Sequence, residues 1–287
     1  MMDYTEGDGA TRGSGRRARG TRCFSQVAFI VSAILSTWIA GRSEAANAPL
    51  VGNAYEVPGL GLKLLPVKPG TFTMGNDTNG KSDERPTMQV TITQAYWLGA
   101  TEVTQTQWEA VMGKNPSHSK GADRPVENML WEDAMEFCRK LNERELAAGR
   151  VPEGYRYTLP TEAQWEYACR AGTRSDYAGN IDEMGWHAAN SGGETKPVAA
   201  KRPNAWGFYD MHGNVWEWCS DWYGFYPGGK ATDPVGVAAS SNRVNRGGCF
   251  WDHAFVCRSS YRNGLGLLFL GMNLGLRVAL APTPRSP

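Results

Sequence analysis

Apolar and polar positions follow one rhythm up to about residue 98, another from 104 to 172, and no regular one after Thr173. Leu60 to Met74 alternates apolar residues with Gly and Pro, the pattern of a short β-hairpin, and Gln89 to Leu98 reads as a further strand. The period then lengthens to that of helices. Thr104 and Gln107 form a capping box ahead of Trp108, Val111 and Met112, and Gly113 is placed to end that helix. Leu130, Ala134, Phe137, Cys138 and Leu141 recur at i, i+4, i+7, i+8 and i+11, giving a second helix one apolar face, ending near Gly149. Thr161 and Gln164 cap a third, which turns Trp165, Ala168 and Cys169 inward before Gly172.

Past Thr173 the chain is rich in glycine and aromatic residues, with short apolar runs such as Arg277 to Ala281 that suit strands. Loops of this length are uncommon unless they carry function or are tied down. Asn204 to Gly224 is the densest part: four tryptophans and three Phe or Tyr rings crowd around Asp210, Glu217 and Asp221 with three glycines. That mixture fits neither an amphipathic helix nor an alternating strand. Carboxylates and bent backbone carbonyls are the hard oxygen ligands calcium prefers, so the segment reads as an ion-shaped loop.

Arg16, Arg17, Arg19 and Arg22 precede a 14-residue apolar run, Val27 to Ala40, followed by small residues at Ser43–Ala45 and Ala46–Ala48. This layout predicts a signal peptide over 1–48 and one domain over 49–287, with its core at about 60–281. The protein is then exported, to the periplasm, cell envelope or medium. The run is short of the roughly 20 residues that span a bilayer, so a membrane contact is expected only through this segment if it stays uncleaved. Net charge is +1, and loss of the first 48 residues, with six arginines against four acids, leaves −1. No basic cluster remains to bind phosphates, which argues against a nucleic-acid partner. Export places Cys138, Cys169, Cys219, Cys249 and Cys257 in an oxidising compartment, where an odd number leaves at least one thiol unpaired or joined to another molecule. Cys138 and Cys169 face inward from neighbouring helices, as a disulfide or as two buried thiols.

From about Gly70 to Ala281 the chain resembles the formylglycine-generating enzyme, or sulfatase-modifying factor, family. The resemblance runs through Thr73-Met74-Gly75, Glu102-Val103-Thr104, Pro125-Val126-Glu127-Asn128, Leu159 to Glu166 and the aromatic segment. It continues through Arg246-Gly247-Gly248, Cys257 to Arg262 and Asn273 to Arg277. It implies an α+β fold, the irregular, loop-rich, C-type-lectin-like fold of that family. It also implies one calcium at Asp210, Gly213, Val215 and Glu217, and a second site beginning at Asn190 and Ser191, although Gly192 to Thr195 is short for the remaining ligands. Trp216 and Asn273 match positions near the family's substrate groove.

The family enzyme binds copper(I) through two cysteines five residues apart and oxidises a cysteine of a client sulfatase to formylglycine. Here the second aligns with Cys257, the first with Asp252, and the preceding serine with Cys249. A carboxylate in place of a thiolate is a hard ligand in place of a soft one, so the two-thiolate copper site cannot form there. Cys249 could approach Cys257 only by rebuilding that site; otherwise Cys257 is expected in a disulfide, with Cys219 or Cys249, or as a buried thiol.

The run Leu265 to Met272 is apolar where relatives are polar, and reads as core or as an exposed patch. Three functions remain open. The chain is an exported family member without the oxidation, binding a protein, peptide or glycan; or an oxidase using Cys257 in a rebuilt site; or a binder of the kind whose C-terminal loops are rewritten by a diversity-generating retroelement.

Overall fold

The computed structural model describes residues 48–50 and 52–283, all within one unit of the chain; the expected export signal, except Ala48, lies outside the described residues. The strands are β1 (Tyr55–Val57), β2 (Leu62–Val67), β3 (Gly70–Met74), β4 (Met88–Ile92), β5 (Tyr96–Gly99), β6 (Tyr155–Thr158), β7 (Trp216–Trp222), β8 (Gly229–Thr232), β9 (Asn242–Arg246), β10 (Arg262–Gly266), β11 (Leu274–Leu276) and β12 (Ala279–Pro282). The helices are α1 (Gln105–Met112), α2 (Trp131–Ala147), α3 (Glu162–Arg170) and the single turn α4 (Ile181–Met184). They frame three small sheets, ordered β1-β2-β5-β12-β6, β10-β9-β7-β11 and β3-β4-β8. Among the described residues no helix is long and apolar enough to cross a membrane.

The capping boxes place α1 and α3 as expected. Thr104 Oγ1 accepts the Gln107 amide at 3.2 Å and Thr161 Oγ1 that of Gln164 at 3.1 Å, each satisfying an otherwise orphaned helical N–H. Gly113 closes α1 at φ 77°, where a Cβ is strained. The apolar face of α2, with Phe137 stacked on Trp108 at 5.3 Å, lies in the larger of two cores.

The strand expectations need three corrections. Leu60–Met74 is not a hairpin: β2 pairs with β1 and β5, whereas β3 pairs with β4 in another sheet. Gln89–Leu98 is likewise two strands, β4 and β5, in different sheets. The aromatic segment does contain a strand. Residues 216–219 and 221 of β7 are all buried, between β9 and β11 in its sheet, so the alternation that marks a half-exposed strand is missing.

Long loops are fastened by charge. The five buried arginines among the described residues each hold a carboxylate: Arg170 and Arg246 on Glu166, Arg262 on Glu162, Arg258 on Glu84, Arg277 on Glu217. Arg258 grips both Glu84 oxygens at 2.7 and 3.0 Å across 174 residues of sequence, and Arg262 both Glu162 oxygens at 2.5 and 2.7 Å across 100. Such pairs are paid for in desolvation, but removing one partner leaves a charge buried alone.

One acid in this region has no arginine. Asp221 accepts the Glu162 amide and the Ser220 hydroxyl, both at 3.0 Å, and burial, then the charge of Glu162, raises it from 3.8 to about 7. A pKa raised in the folded state stabilises below the unfolded value and loses that contribution as pH rises through the folded one. Asp221→Asn is therefore expected to gain on wild type by on the order of 4 kcal/mol between pH 4 and 8. Urea melts at both pH values measure this, and an unchanged difference contradicts it.

Candidate functional site

β7 and β11 run in parallel, Leu274 beside Trp216, so the tryptophan-rich segment and the C-terminal motif meet at the end of one sheet. Trp216 and Asn273 are thereby placed beside the turn Cys249–Asp252. Asp252 Oδ2 collects three donors: the Cys249 amide at 3.1 Å, the Cys249 thiol at 3.0 Å and the Trp216 indole N–H at 2.9 Å. Asn273 Nδ2 reaches the same thiol at 3.5 Å. Thus Cys249, Asp252, Trp216 and Asn273 are one hydrogen-bonded group.

Cys257 ends the 3-10 turn that follows, Ala254–Cys257, and is buried. Its Sγ lies so near Gly248 that a Cβ there would come within 2.7 Å. Burial first, and the Asp252 charge second, push both the Cys249 and Cys257 thiols up, away from the thiolate form that binds metal or attacks. All five described cysteines are buried and unpaired. The alternatives of a disulfide for Cys257, or between Cys138 and Cys169, are replaced by separate thiols. Cys169 sits instead at 3.7 Å from the Met211 carbonyl and 3.9 Å from the His212 ring, with burial raising it to about 12.

The run Leu265–Met272 divides between its two alternatives: Leu265 is half-buried and packs against the larger core, while the tip of the loop is an exposed patch. Leu268 is 86% exposed, with Phe269, Leu270 and Met272 exposed too, and Trp251 and Phe255 stand out beside Asp252. Hydrophobicity alone cannot separate a buried run from a loop tip, which is why the pattern left this undecided. A cavity of about 480 Å³ between Arg156, Gln164 and Val235 shares no residue with this group.

At the expected calcium loop, Asp210 Oδ2 accepts the Ala199 amide at 2.7 Å while Oδ1 is buried without a partner. Glu102, which carried no role in the sequence reading, lies fully buried beside it and holds the loop through the Val215 amide and Asn214 Nδ2 at 3.1 and 2.8 Å. Burial raises Asp210 to about 6 and Glu102 well above its usual range, the Asp210 charge adding to the rise at Glu102 and the Glu217 charge to that at both. Three acids, Glu102, Asp210 and Glu217, thus share the single guanidinium of Arg277. The orphaned Oδ1 and the excess negative charge fit a divalent cation. Glu217 fits less well as a ligand, because Arg277 takes both its oxygens at 2.6 to 3.1 Å and the Trp165 indole adds a bond at 2.6 Å. Among the described residues no three His, Cys, Asp or Glu side chains group to hold a metal, so an ion at Asp210 would rest on backbone carbonyls as well. Gly213 has the freedom for this: at φ 106° a Cβ would strike the Trp186 carbonyl at 2.0 Å. At the second site the side chains are engaged elsewhere. Asn190 bonds the His187 amide and Gly185 carbonyl, and Ser191 the Phe250 carbonyl and Gly193 amide.

Comparison with known proteins places these residues in context. The model of the sulfatase-modifying factor enzyme 1-like domain matches residues 62–282. Chaperone protein LppX of Paenibacillus barcinonensis is 32% identical over 232 residues, covering 64% of this chain and 79% of that protein. The formylglycine-generating enzyme of Bos taurus is 28% identical, covering 84% of this chain and 80% of its own. Among solved structures, Treponema denticola variable protein 1 superposes with a TM-score of 0.73 at 30% identity, over 82% of this chain and all of that one.

Proposed function

We propose that this chain, which belongs to the sulfatase-modifying factor enzyme family, is an exported member without copper-dependent cysteine oxidation that acts as a binding or accessory protein. The observation that carries this reading is Asp252. Where the family enzyme needs a thiolate this chain has a carboxylate, and the nearby Cys249 thiol is spent donating to it. The exposed apolar residues on either side support a role in recognising a ligand. A titration of copper(I) against a chromogenic chelator tests it: the wild-type protein is expected to leave the metal with the chelator, and tight binding that disappears in Cys257→Ser would overturn the reading.

One finding favours a narrower version, in which the ligand face is rewritten by a retroelement: the likeness to Treponema denticola variable protein 1. A nearby near-copy of the gene's 3′ end that differs only at adenines would support it, and its absence would remove it.

Calcium completes the proposal, with Asp210 as the side-chain ligand, the carbonyls of Gly213 and Val215 as backbone ligands, and Glu217 contributing mainly charge. An ion bound only by the folded state stabilises by about 2.7 kcal/mol at 100 times its dissociation constant. Chelation is then expected to lower Tm by roughly 5–10 °C. No shift, with no calcium found by elemental analysis, would remove the ion.

A further inference from the structure

The stretch from Phe250 to Asn273 exposes Trp251, His253, Phe255, Leu268, Phe269, Leu270 and Met272, so that all but the histidine are large and apolar. Its arginines, Arg258 and Arg262, are buried and paired with Glu84 and Glu162. Asp252 is the one acid of this stretch, and among the described residues no cation forms an ion pair with it. The three donors described above all go to Oδ2, and none reaches Oδ1. The backbone of Asp252 is fixed as well, its N–H donating to the Cys249 carbonyl at 3.1 Å and its carbonyl accepting the Ala188 amide at 2.9 Å. The remaining oxygen is therefore held in place at the edge of an aromatic wall. Trp216, bonded to Asp252, lies 6.0 Å from Tyr261, which lies 5.8 Å from Phe255.

These facts restrict what can cover the face. A wholly apolar partner would bury the Asp252 carboxylate without a counter-charge, which is strongly unfavourable. An anionic lipid surface would add like charge. A segment that brings its own cation alongside apolar side chains satisfies both demands; the Tyr261 ring already faces Lys81 Nζ at 4.6 Å, which leaves Trp251 and Phe255 to add cation–π attraction. We propose that Asp252 Oδ1 anchors a subsite for the ammonium or guanidinium group of a basic residue in a partner polypeptide, whose apolar side chains cover Trp251, Phe255 and the 268–272 loop. This rests on the reading of the chain as a binding protein.

Selection of short random peptides on the immobilised full chain tests the proposal, with Asp252→Asn, checked by thermal melting, as the comparison. Enriched peptides are expected to carry Lys or Arg beside large apolar residues. Replacing that residue by citrulline or norleucine should weaken binding to wild type about tenfold or more and leave binding to the Asn variant unchanged. The same peptides should lose affinity for Leu268→Asp. Enrichment without a basic preference, or with the same preference on Asp252→Asn, would overturn the subsite while leaving the binding reading in place. If nothing is enriched, or if phosphatidylcholine vesicles are bound through Leu268 instead, both the subsite and a polypeptide ligand are overturned. Aldehyde formed on cysteine-containing peptides would remove the underlying reading alone, since the charge preference is read separately from affinity.

Discussion

Arg277→Leu is expected to prevent stable folding, or to lower the unfolding free energy by at least about 4 kcal/mol, the loss typical when one partner of a buried ion pair is removed. The guanidinium satisfies more than Glu217: it donates to the carbonyls of Gly99 at 3.0 Å and Tyr209 at 2.9 Å, tying β5 to the segment before the 210–217 loop. Its loss leaves Glu102, Asp210 and Glu217 without the cation they share and two carbonyls without a donor. Against a net stability of about 5–15 kcal/mol this is a large fraction. A second change separates charge from packing. Glu217→Gln in the Arg277→Leu background removes one stranded charge yet keeps an acceptor for the Trp165 indole, so it should recover part of the loss. Denaturant melts of the two variants measure both effects; a loss below about 1 kcal/mol for Arg277→Leu would mean that the loops are not held in this way.

The second large effect is a gain. Asp252→Cys places a thiol at residue 252, five positions before Cys257 and separated from it by the 3-10 turn Ala254–Cys257. It also removes the carboxylate whose charge raises both Cys249 and Cys257. Two soft ligands in place of one hard and one soft should raise copper(I) affinity by about three orders of magnitude or more, roughly 4 kcal/mol. The competition titration reads this directly, with Asp252→Cys/Cys257→Ser as the control that should return to the wild-type value. No increase would show that the absence of a thiolate at 252 is not what separates this chain from a copper site.

How much of this was visible in the sequence depends on what each feature exposes to water. Helices α1 and α3 could be read because Thr104–Gln107 and Thr161–Gln164 are local contacts, made three residues apart. Strand β7 could not, because burial of Trp216 through Cys219 on both faces erases the period of two. Nor could the pairing of β2 with β5 or of β3 with β4, since register depends on partners distant in the chain. The substitution at Asp252 was legible by resemblance, but its three hydrogen bonds were not, because Trp216 arrives from another strand. Glu102 and the buried arginines were hidden for the same reason. Their residue types are those of solvated surface, and only the fold shows that Arg246 and Arg277 are fully buried.

The most direct test of the account is chemical turnover. The purified full chain, supplied with copper(I) and oxygen, is incubated with a peptide containing Cys-x-Pro-x-Arg, and the peptide is followed by mass spectrometry. No aldehyde is expected to accumulate on its cysteine, because Asp252 stands where the family enzyme has the first of its two thiolates. Formation of formylglycine by the wild-type protein, abolished by Cys257→Ser, would contradict it.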